Sequence, residues 1–299
     1  MIKVSVIIPV FNEDKVLREC LESLCYQTYK SFEVIAVDDG SNDKTSRILS
    51  DLRFKKNRTP CDKDLRILKQ DHKGAGSARN LGAKSAKGRI LVFVDADMTF
   101  DKGFLEKLIA PIMQNLPSQD PGEVKGTFSK EELVSNWNNV WARCWNINEG
   151  WEERRRHPKN YPDHQPVFRA ILKSEFDRVG GFTPGGYDDD WSLSKKLGYE
   201  ATAAPGAIFY HKNPESLSEI FTHAKWVGKR SYKLGLIGYL VALFRSSFPV
   251  SLIVGFYKSF TNSNFHNKVG YSFLIFKIVY DFGIFVGIIE YLITGRSSK

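Results

Sequence analysis

The stretch His72–Phe100, HKGAGSARNLGAKSAKGRILVFVDADMTF, sets the architecture of this chain. It reads as loop, helix, turn and strand, and it closes on two carboxylates. Ala78, Leu81, Gly82 and Ser85 give a small-residue helical face, and Gly88 breaks that helix. Ile90 to Val94 is an unbroken apolar run, the mark of a strand buried on both faces. The run ends in Asp95-Ala96-Asp97. Open α/β sheets take their ligands at the carboxyl ends of their strands. Two hard anions placed there are costly to bury without a cation. The pair therefore predicts a divalent-metal site that holds a diphosphate. Taken alone it also fits two solvated turn acids, so its surroundings matter.

Upstream, a strand is expected from Lys3 to Val10 with Pro9 near its end, and a signal peptide is not expected. Phe11-Asn12-Glu13-Asp14 is a turn, and Val16, Leu17, Leu21 and Leu24 recur at helical spacing. Phe32 to Val37 is a second strand, ending in Asp38-Asp39-Gly40-Ser41-Asn42-Asp43. Ser41 or Asn42 is expected to cap the helix that carries Ile48, Leu49 and Leu52. Leu65 to Leu68 is a short third strand after a polar loop. Four strands alternating with three helices predict a parallel sheet with right-handed crossovers. Three sets of functional groups then meet at its strand ends: Pro9 to Glu13, Asp38-Asp39, and Asp95 to Asp97. A purely structural sheet needs no acids there, which points to a nucleotide.

These residues carry a resemblance. SVIIPVFNE, VDDGSNDKT and GAGSARNLGAKSAKGRILVFVDAD look like the nucleotide-binding half of family 2 glycosyltransferases with the GT-A fold. The likeness covers residues 3–101, resumes from Phe168 to Tyr199, and returns at His211. It implies that Pro9, Phe11 and Glu13 line a nucleoside pocket and that Asp39 hydrogen-bonds the base, typically uracil. It implies that Gly76 and Arg79 belong to the loop beside the diphosphate, and that Asp95-Ala96-Asp97 is the family's D-x-D. His211 falls where the family places a histidine near the metal, and imidazole is an acceptable third ligand beside Asp95 and Asp97. Asp189-Asp190 matches an acidic pair whose second member is the catalytic base of inverting enzymes, with Asp where Glu is common at the first position.

A competing motif is Gly74-Ala75-Gly76-Ser77-Ala78-Arg79, which begins like a dinucleotide fingerprint. Its last position is Arg, it follows the third strand and not the first, and no ribose-binding acid stands at the required distance. No P-loop occurs.

Between the two halves, residues 102–130 read as loop and helix. Trp137, Trp141 and Trp145 fall four apart, on one helical face, with Trp151 beyond. Such a stripe is core packing or an aromatic wall for an acceptor. Arg154-Arg155-Arg156 is a solvated run or an acceptor-phosphate site. Phe168 to Leu172 and Ala207 to Tyr210 read as strands, and Val179-Gly180-Gly181-Phe182 matches a family turn. Asp188-Asp189-Asp190 precedes a helix, where acids also suit the positive end of the helix dipole.

Of the net charge of +9, residues from Lys225 onward carry +8, with ten Lys or Arg against Asp281 and Glu290. A nearly neutral body with a basic, aromatic, apolar tail is not a general nucleic-acid binder. The tail's apolar runs are broken by charge and fall short of about 18 uncharged residues, so interfacial or re-entrant segments are expected. Extra core and a homodimer seam are the other readings. Cys20, Cys25, Cys61 and Cys144 show no ligand spacing and are expected reduced.

The expectation is an α/β GT-A domain over residues 1–224, with a nucleotide-binding half (1–101) and an acceptor half (102–224), followed by a membrane-associating helical tail (225–299). The resemblance implies a metal-dependent inverting transferase using Mn2+ or Mg2+ and a nucleotide-diphosphate sugar, with a uridine nucleotide first. The acceptor would be a hydroxyl or phosphate, lipid-linked or on a cell-surface glycan, at the cytoplasmic face of the membrane. A retaining transferase and a non-catalytic sugar-nucleotide-binding subunit are the alternatives, and a homo-oligomer is left open.

Overall fold

The computed structural model describes residues 3–54, 65–114, 124–184, 189–230, 232, 234–261 and 269–295. The first third alternates as expected: β1 (Val4–Val10), α1 (Leu17–Cys25), β2 (Phe32–Asp38), α2 (Thr45–Phe54), β3 (Leu65–Lys69), α3 (Ala75–Ser85) and β4 (Ile90–Phe93). Next come β5 (Met98–Phe100), α4 (Phe104–Gln114), β6 (Gly126–Phe128), β7 (Glu132–Val134), α5 (Val140–Glu149), β8 (His164–Gln165), β9 (Ala170–Leu172), α6 (Lys173–Arg178), α7 (Asp189–Leu197), β10 (Ala201–Ala203) and β11 (Phe209–His211). The helices α8 (Leu217–Gly228), α9 (Gly235–Arg245), α10 (Phe248–Thr261) and α11 (Val269–Thr294) follow.

The main sheet runs β3-β2-β1-β4-β9-β6-β10-β8. Its first four strands are mutually parallel, whereas β9 is antiparallel to both β4 and β6. Side chains alternate across a strand. Val4, Val6 and Ile8 of β1 therefore join Val92 and Val94 in one core layer, under α1 and α4. Ile7 joins Leu91 and Phe93 in the other, with Ala78 and Ala83 of α3. Burial of both faces is why β4 is apolar throughout and β1 carries a single polar side chain, Ser5, which donates to Glu33 Oε1 at 2.7 Å. A second sheet, β5-β11-β7, pairs His211 opposite Met98. That register sets the residue after Asp97 beside a strand from far along the chain.

Several expectations need correction. β6 (Gly126–Phe128) lies within 102–130, where the sequence predicts only loop and helix. The strand expected at Phe168 starts at Ala170, and the one expected from Ala207 starts at Phe209. Ser41 and Asn42 do not cap α2. Ser41 Oγ accepts from the Asn12 amide at 3.0 Å, the Asn42 amide donates to Asn12 Oδ1, and Asp43 Oδ1 takes the Thr45 amide instead. Trp137 precedes α5, so only Trp141 and Trp145 ride that helix. Trp145 is buried with Ile220, Phe273 and Phe276, which is core packing. Cys20 and Cys144 are buried free thiols, and Cys61 lies outside the described residues.

Contacts divide the chain into two compact units, Met1–Leu133 with Asn160–His211, and Val134–Lys159 with Lys212–Lys299. The compositional boundary at 224/225 falls inside α8. In the second unit α8 and α11 meet at backbone distance: a Cβ on Gly287 would stand 2.1 Å from the Lys225 carbonyl oxygen, and one on Gly228 would stand 2.4 Å from that of Ile284. Small residues allow such close helix crossings. α11 is one continuous helix of 26 residues, long and apolar enough to cross a membrane by length and composition. Lys277, Asp281 and Glu290 do not interrupt the helix. Those charges are satisfied within the unit: Asp281 by Lys277 and Ser251, each at 2.7 Å, and Glu290 by Lys225 and Lys229.

Gly88 tests the fit of the central strands. A Cβ there would lie 2.5 Å from the Ser5 amide nitrogen and 2.7 Å from the Val4 carbonyl carbon, both β1 backbone. Backbone in a paired strand cannot yield as a flexible side chain would, so Gly88→Ala is expected to destabilise by about 1–3 kcal/mol, measured by urea unfolding.

Candidate active site

β1 delivers Pro9, Phe11 and Glu13 to the ends of the parallel strands. Phe11 is exposed and stacks on His72, with ring centroids 3.9 Å apart. Asn12 takes a left-handed conformation (φ 57°) that turns the chain back toward the Asp38–Asp43 segment. Glu13 anchors its amide on Thr45 Oγ1 at 2.8 Å. Its carboxyl is pushed up to about 7, first by burial and then by the charges of Asp97, Asp95 and Asp43.

Asp39 is 2% exposed. One of its oxygens accepts from Gln70 Nε2 at 2.6 Å and the Lys73 amide at 2.9 Å, and the other from the Gly74 amide at 2.9 Å. His72 Nδ1 lies 2.9 Å from that second oxygen. Asp39 thus fastens the loop that leads into α3. Gly74 N-caps α3 with φ 88°, a conformation that favours glycine, and Gly76 is buried in the first turn.

α3 also carries Arg79, whose side chain is 6% exposed. Its guanidinium donates to Asp95 Oδ1 at 2.8 Å and to Asp190 Oδ1. Arg169, just before β9, donates to Asp95 Oδ2 at 3.1 Å. Burial alone would raise the Asp95 carboxyl, but Arg169 and Arg79 outweigh it and hold the group far below the usual carboxylate range. Ala96 is buried in the core and fixes the turn between the two acids. Asp97 Oδ2 lies 2.7 Å from His211 Nε2, and His211 Nδ1 lies 2.9 Å from Glu132 Oε1. Asp97 Oδ1 is buried without a hydrogen-bond partner.

The expected residues therefore gather in two linked groups. Asp95 and Asp190 share Arg79, and Asp97 and His211 meet directly. Asp95, Asp97 and His211 do not converge as three ligands; among the described residues no set of three or more His, Cys, Asp or Glu is arranged to hold a metal. The cause is local, because both Asp95 oxygens are turned to arginines. The orphaned Asp97 oxygen beside an imidazole still suits a divalent ion that accepts carboxylate and nitrogen donors, so Asp97 and His211 fit Mn2+ or Mg2+. Asp189 opens α7, but its side chain, like Gly185 to Asp188, lies outside the described residues. Trp141, Trp145, Trp151 and Arg154 to Arg156 belong to the second unit, where Arg155 pairs with Glu152 and Arg156 lies over the Trp151 ring.

Arg169 and Glu132 were not anticipated as site residues. Arg169 left one signal, a lone cation at the mouth of an apolar strand; Glu132 left none, since only the pairing of remote strands brings it to His211.

Glu13 gives a pH test. Its carboxyl binds a proton more tightly folded, near 7, than at its ordinary 4.5. Between those values the native state holds more protons, so this group's contribution to stability falls as pH rises. Glu13→Gln is expected to match the wild type below pH 4.5 and exceed it in stability above neutrality, read from urea unfolding curves across that range.

The family profile described as Glycosyl transferase family 2 matches residues 5–183. The chain is 34% identical over 229 residues to the uncharacterized glycosyltransferase EpsJ of Bacillus subtilis (strain 168), covering 73% of this chain and 63% of that protein. It spans only 15% and 38% of two other curated glycosyltransferases it matches. Among solved structures it shares its fold with the mannosyltransferase PcManGT from Pyrobaculum calidifontis in complex with GDP-Man and Mn2+, at TM-score 0.55 and 18% identity, over 96% of this chain and 86% of that one. S. aureus TarS 1-349 in complex with UDP matches at TM-score 0.52 and 16% identity, over 98% of this chain and 92% of that one.

Proposed function

The chain belongs to glycosyl transferase family 2, and from that premise we propose that it moves a sugar from a nucleoside diphosphate sugar to an acceptor hydroxyl, inverting the anomeric carbon. The observation that carries the reading is the Arg79 bridge. One guanidinium spans Asp95, at the end of the central parallel strands, and Asp190, at the start of α7. A donor-side acid and an acceptor-side acid are thereby held at a single locus.

In this reading Phe11 and the loop fastened by Asp39 receive the nucleoside, and Arg79 with the start of α3 faces the diphosphate. A uridine nucleotide is the first donor to test, given the family likeness and the UDP bound in TarS. Asp97 and His211 would hold the Mn2+ or Mg2+, which supplies Lewis-acid stabilisation of negative charge on the diphosphate. Asp190 has a side chain 43% exposed, open to an acceptor. Its carboxyl is held toward the site by Arg79, within the half of the fold where a general base is needed. The acceptor oxygen bonds to the anomeric carbon from the face opposite the diphosphate, the anomeric C–O bond breaks toward the diphosphate, and the hydroxyl proton passes to Asp190. Asp190→Asn is expected to keep donor affinity and lose about 100-fold or more in kcat, while EDTA abolishes transfer by the wild type and Mn2+ restores it. A variant with undiminished turnover removes Asp190 as the base, and full activity in chelator removes the metal.

We also propose that the second unit rests on a membrane, at its cytoplasmic face, and that the acceptor is lipid-linked or part of a growing glycan. The charges on α11 pair inside the unit, whereas Ile237, Phe244, Ile253, Phe256 and Ile293 stand exposed. Apolar surface on that scale needs a cover, and Lys and Arg interleaved along the tail suit anionic headgroups. In a flotation gradient the full chain is expected to rise with phosphatidylglycerol-containing vesicles; recovery of all protein at the bottom would count against this placement.

A further inference from the structure

The β5-β11-β7 sheet holds His211 from both sides. Its Nε2 faces Asp97 Oδ2 at 2.7 Å and its Nδ1 faces Glu132 Oε1 at 2.9 Å. A neutral imidazole carries one proton, and the hydrogen bond made by one ring nitrogen decides which nitrogen is left to ligate. Glu132 is a carboxylate acceptor with a half-buried side chain on β7, and it is fixed against β11 by the sheet. With no cation present, the 2.7 Å contact requires a proton between Nε2 and Asp97 Oδ2. When a cation takes that proton's place, Glu132 can hold the ring's remaining proton on Nδ1, and the Nε2 lone pair is freed on the side where Asp97 Oδ1 lies buried and unpartnered. We infer that Glu132 is a positioning residue that makes His211 Nε2 a metal donor, so that Asp97, His211 and Glu132 act as one unit in taking up a divalent cation.

Two further features support this role over a simple tie between strands. Glu132 also faces Arg169 electrostatically, and Arg169 is the guanidinium on Asp95 Oδ2. One acid therefore steadies both the histidine beside Asp97 and the cation that occupies Asp95. Moreover, His211 has a side chain only 17% exposed, so water is a poor substitute for the lost acceptor. Carboxylates placed behind ligating histidines orient the ring and raise its basicity, and removing them costs roughly 10- to 100-fold in metal affinity.

The assignment rests on the metal reading above, and the test separates the two. Mn2+ binding is measured by calorimetry on the full chain, with and without UDP, for wild type, His211→Ala, Glu132→Ala and Glu132→Gln. Wild type is expected to bind Mn2+, His211→Ala to lose most of that affinity, and Glu132→Ala to weaken it about 10- to 100-fold. Glu132→Gln keeps an acceptor for Nδ1–H and is expected to recover part of the loss, which also guards against a folding defect in the alanine variant. Nitrogen-15 shifts of Mg2+-loaded protein should place the His211 proton on Nδ1 in the wild type. A wild type that takes up no Mn2+ overturns the metal reading and this assignment together. Mn2+ affinity that falls in His211→Ala but is unchanged in Glu132→Ala, or a His211 proton on Nε2 in the loaded wild type, overturns this assignment alone.

Discussion

The charge balance around Asp95 is the constraint from which the rest of the site follows. A strand buried on both faces delivers a carboxylate to its carboxyl end, and burial there penalises the ionised form. Two guanidinium groups compensate it, Arg79 from α3 and Arg169 from the entry to β9. Because Arg79 also reaches Asp190, the same compensation ties the start of α7 to the central strands. Positive and negative groups then alternate through Asp190, Arg79, Asp95 and Arg169. Glu132, His211 and Asp97 continue the row on the smaller sheet. Four carboxylates there stand against two guanidiniums and one imidazole.

The parallel half of the fold was legible because its physics is local. β4 is apolar throughout, and β1 and β2 are apolar but for the buried Ser5–Glu33 pair and the terminal Asp38, since both faces are covered; the turns after them carry their acids in short, regular motifs. Antiparallel β9 and the short strands β6 and β7 carry no such pattern. Their three residues each are held by pairing with distant partners. The same distinction divides the site. Asp95, Asp97, Asp39 and Asp190 stand in motifs that sequence alone exposes. Arg169 and Glu132 gain meaning only when remote strands align, and the engagement of both Asp95 oxygens by arginines was equally invisible. The tryptophan stripe failed for a related reason: spacing placed three rings on one helix, whereas the helix begins after Trp137 because Asn139 caps it, accepting from the Trp141 and Ala142 amides.

The second unit pairs its charges inside and also leaves apolar side chains exposed around its core of Trp145, Ile220, Phe273 and Phe276. Lys277, Asp281, Ser251 and Glu290 are turned to one another or to α8, while long apolar side chains line the outer surfaces of α9, α10 and α11. Charges that interrupt an apolar run in sequence need not interrupt the helix when each finds an internal partner. At about 1.5 Å per residue, α11 extends roughly 39 Å, longer than a hydrocarbon core of about 30 Å.

The glycines at this crossing also bear on how copies of the chain could associate. Gly283 and Gly287 are spaced four apart, the pattern by which membrane helices often dimerise. Here that groove is already filled from within the same polypeptide, by Ala224 and Gly228 and the backbone around them. The intimate main-chain approach that these two small residues permit is thus taken up inside one molecule and is not open at that place to a sister copy.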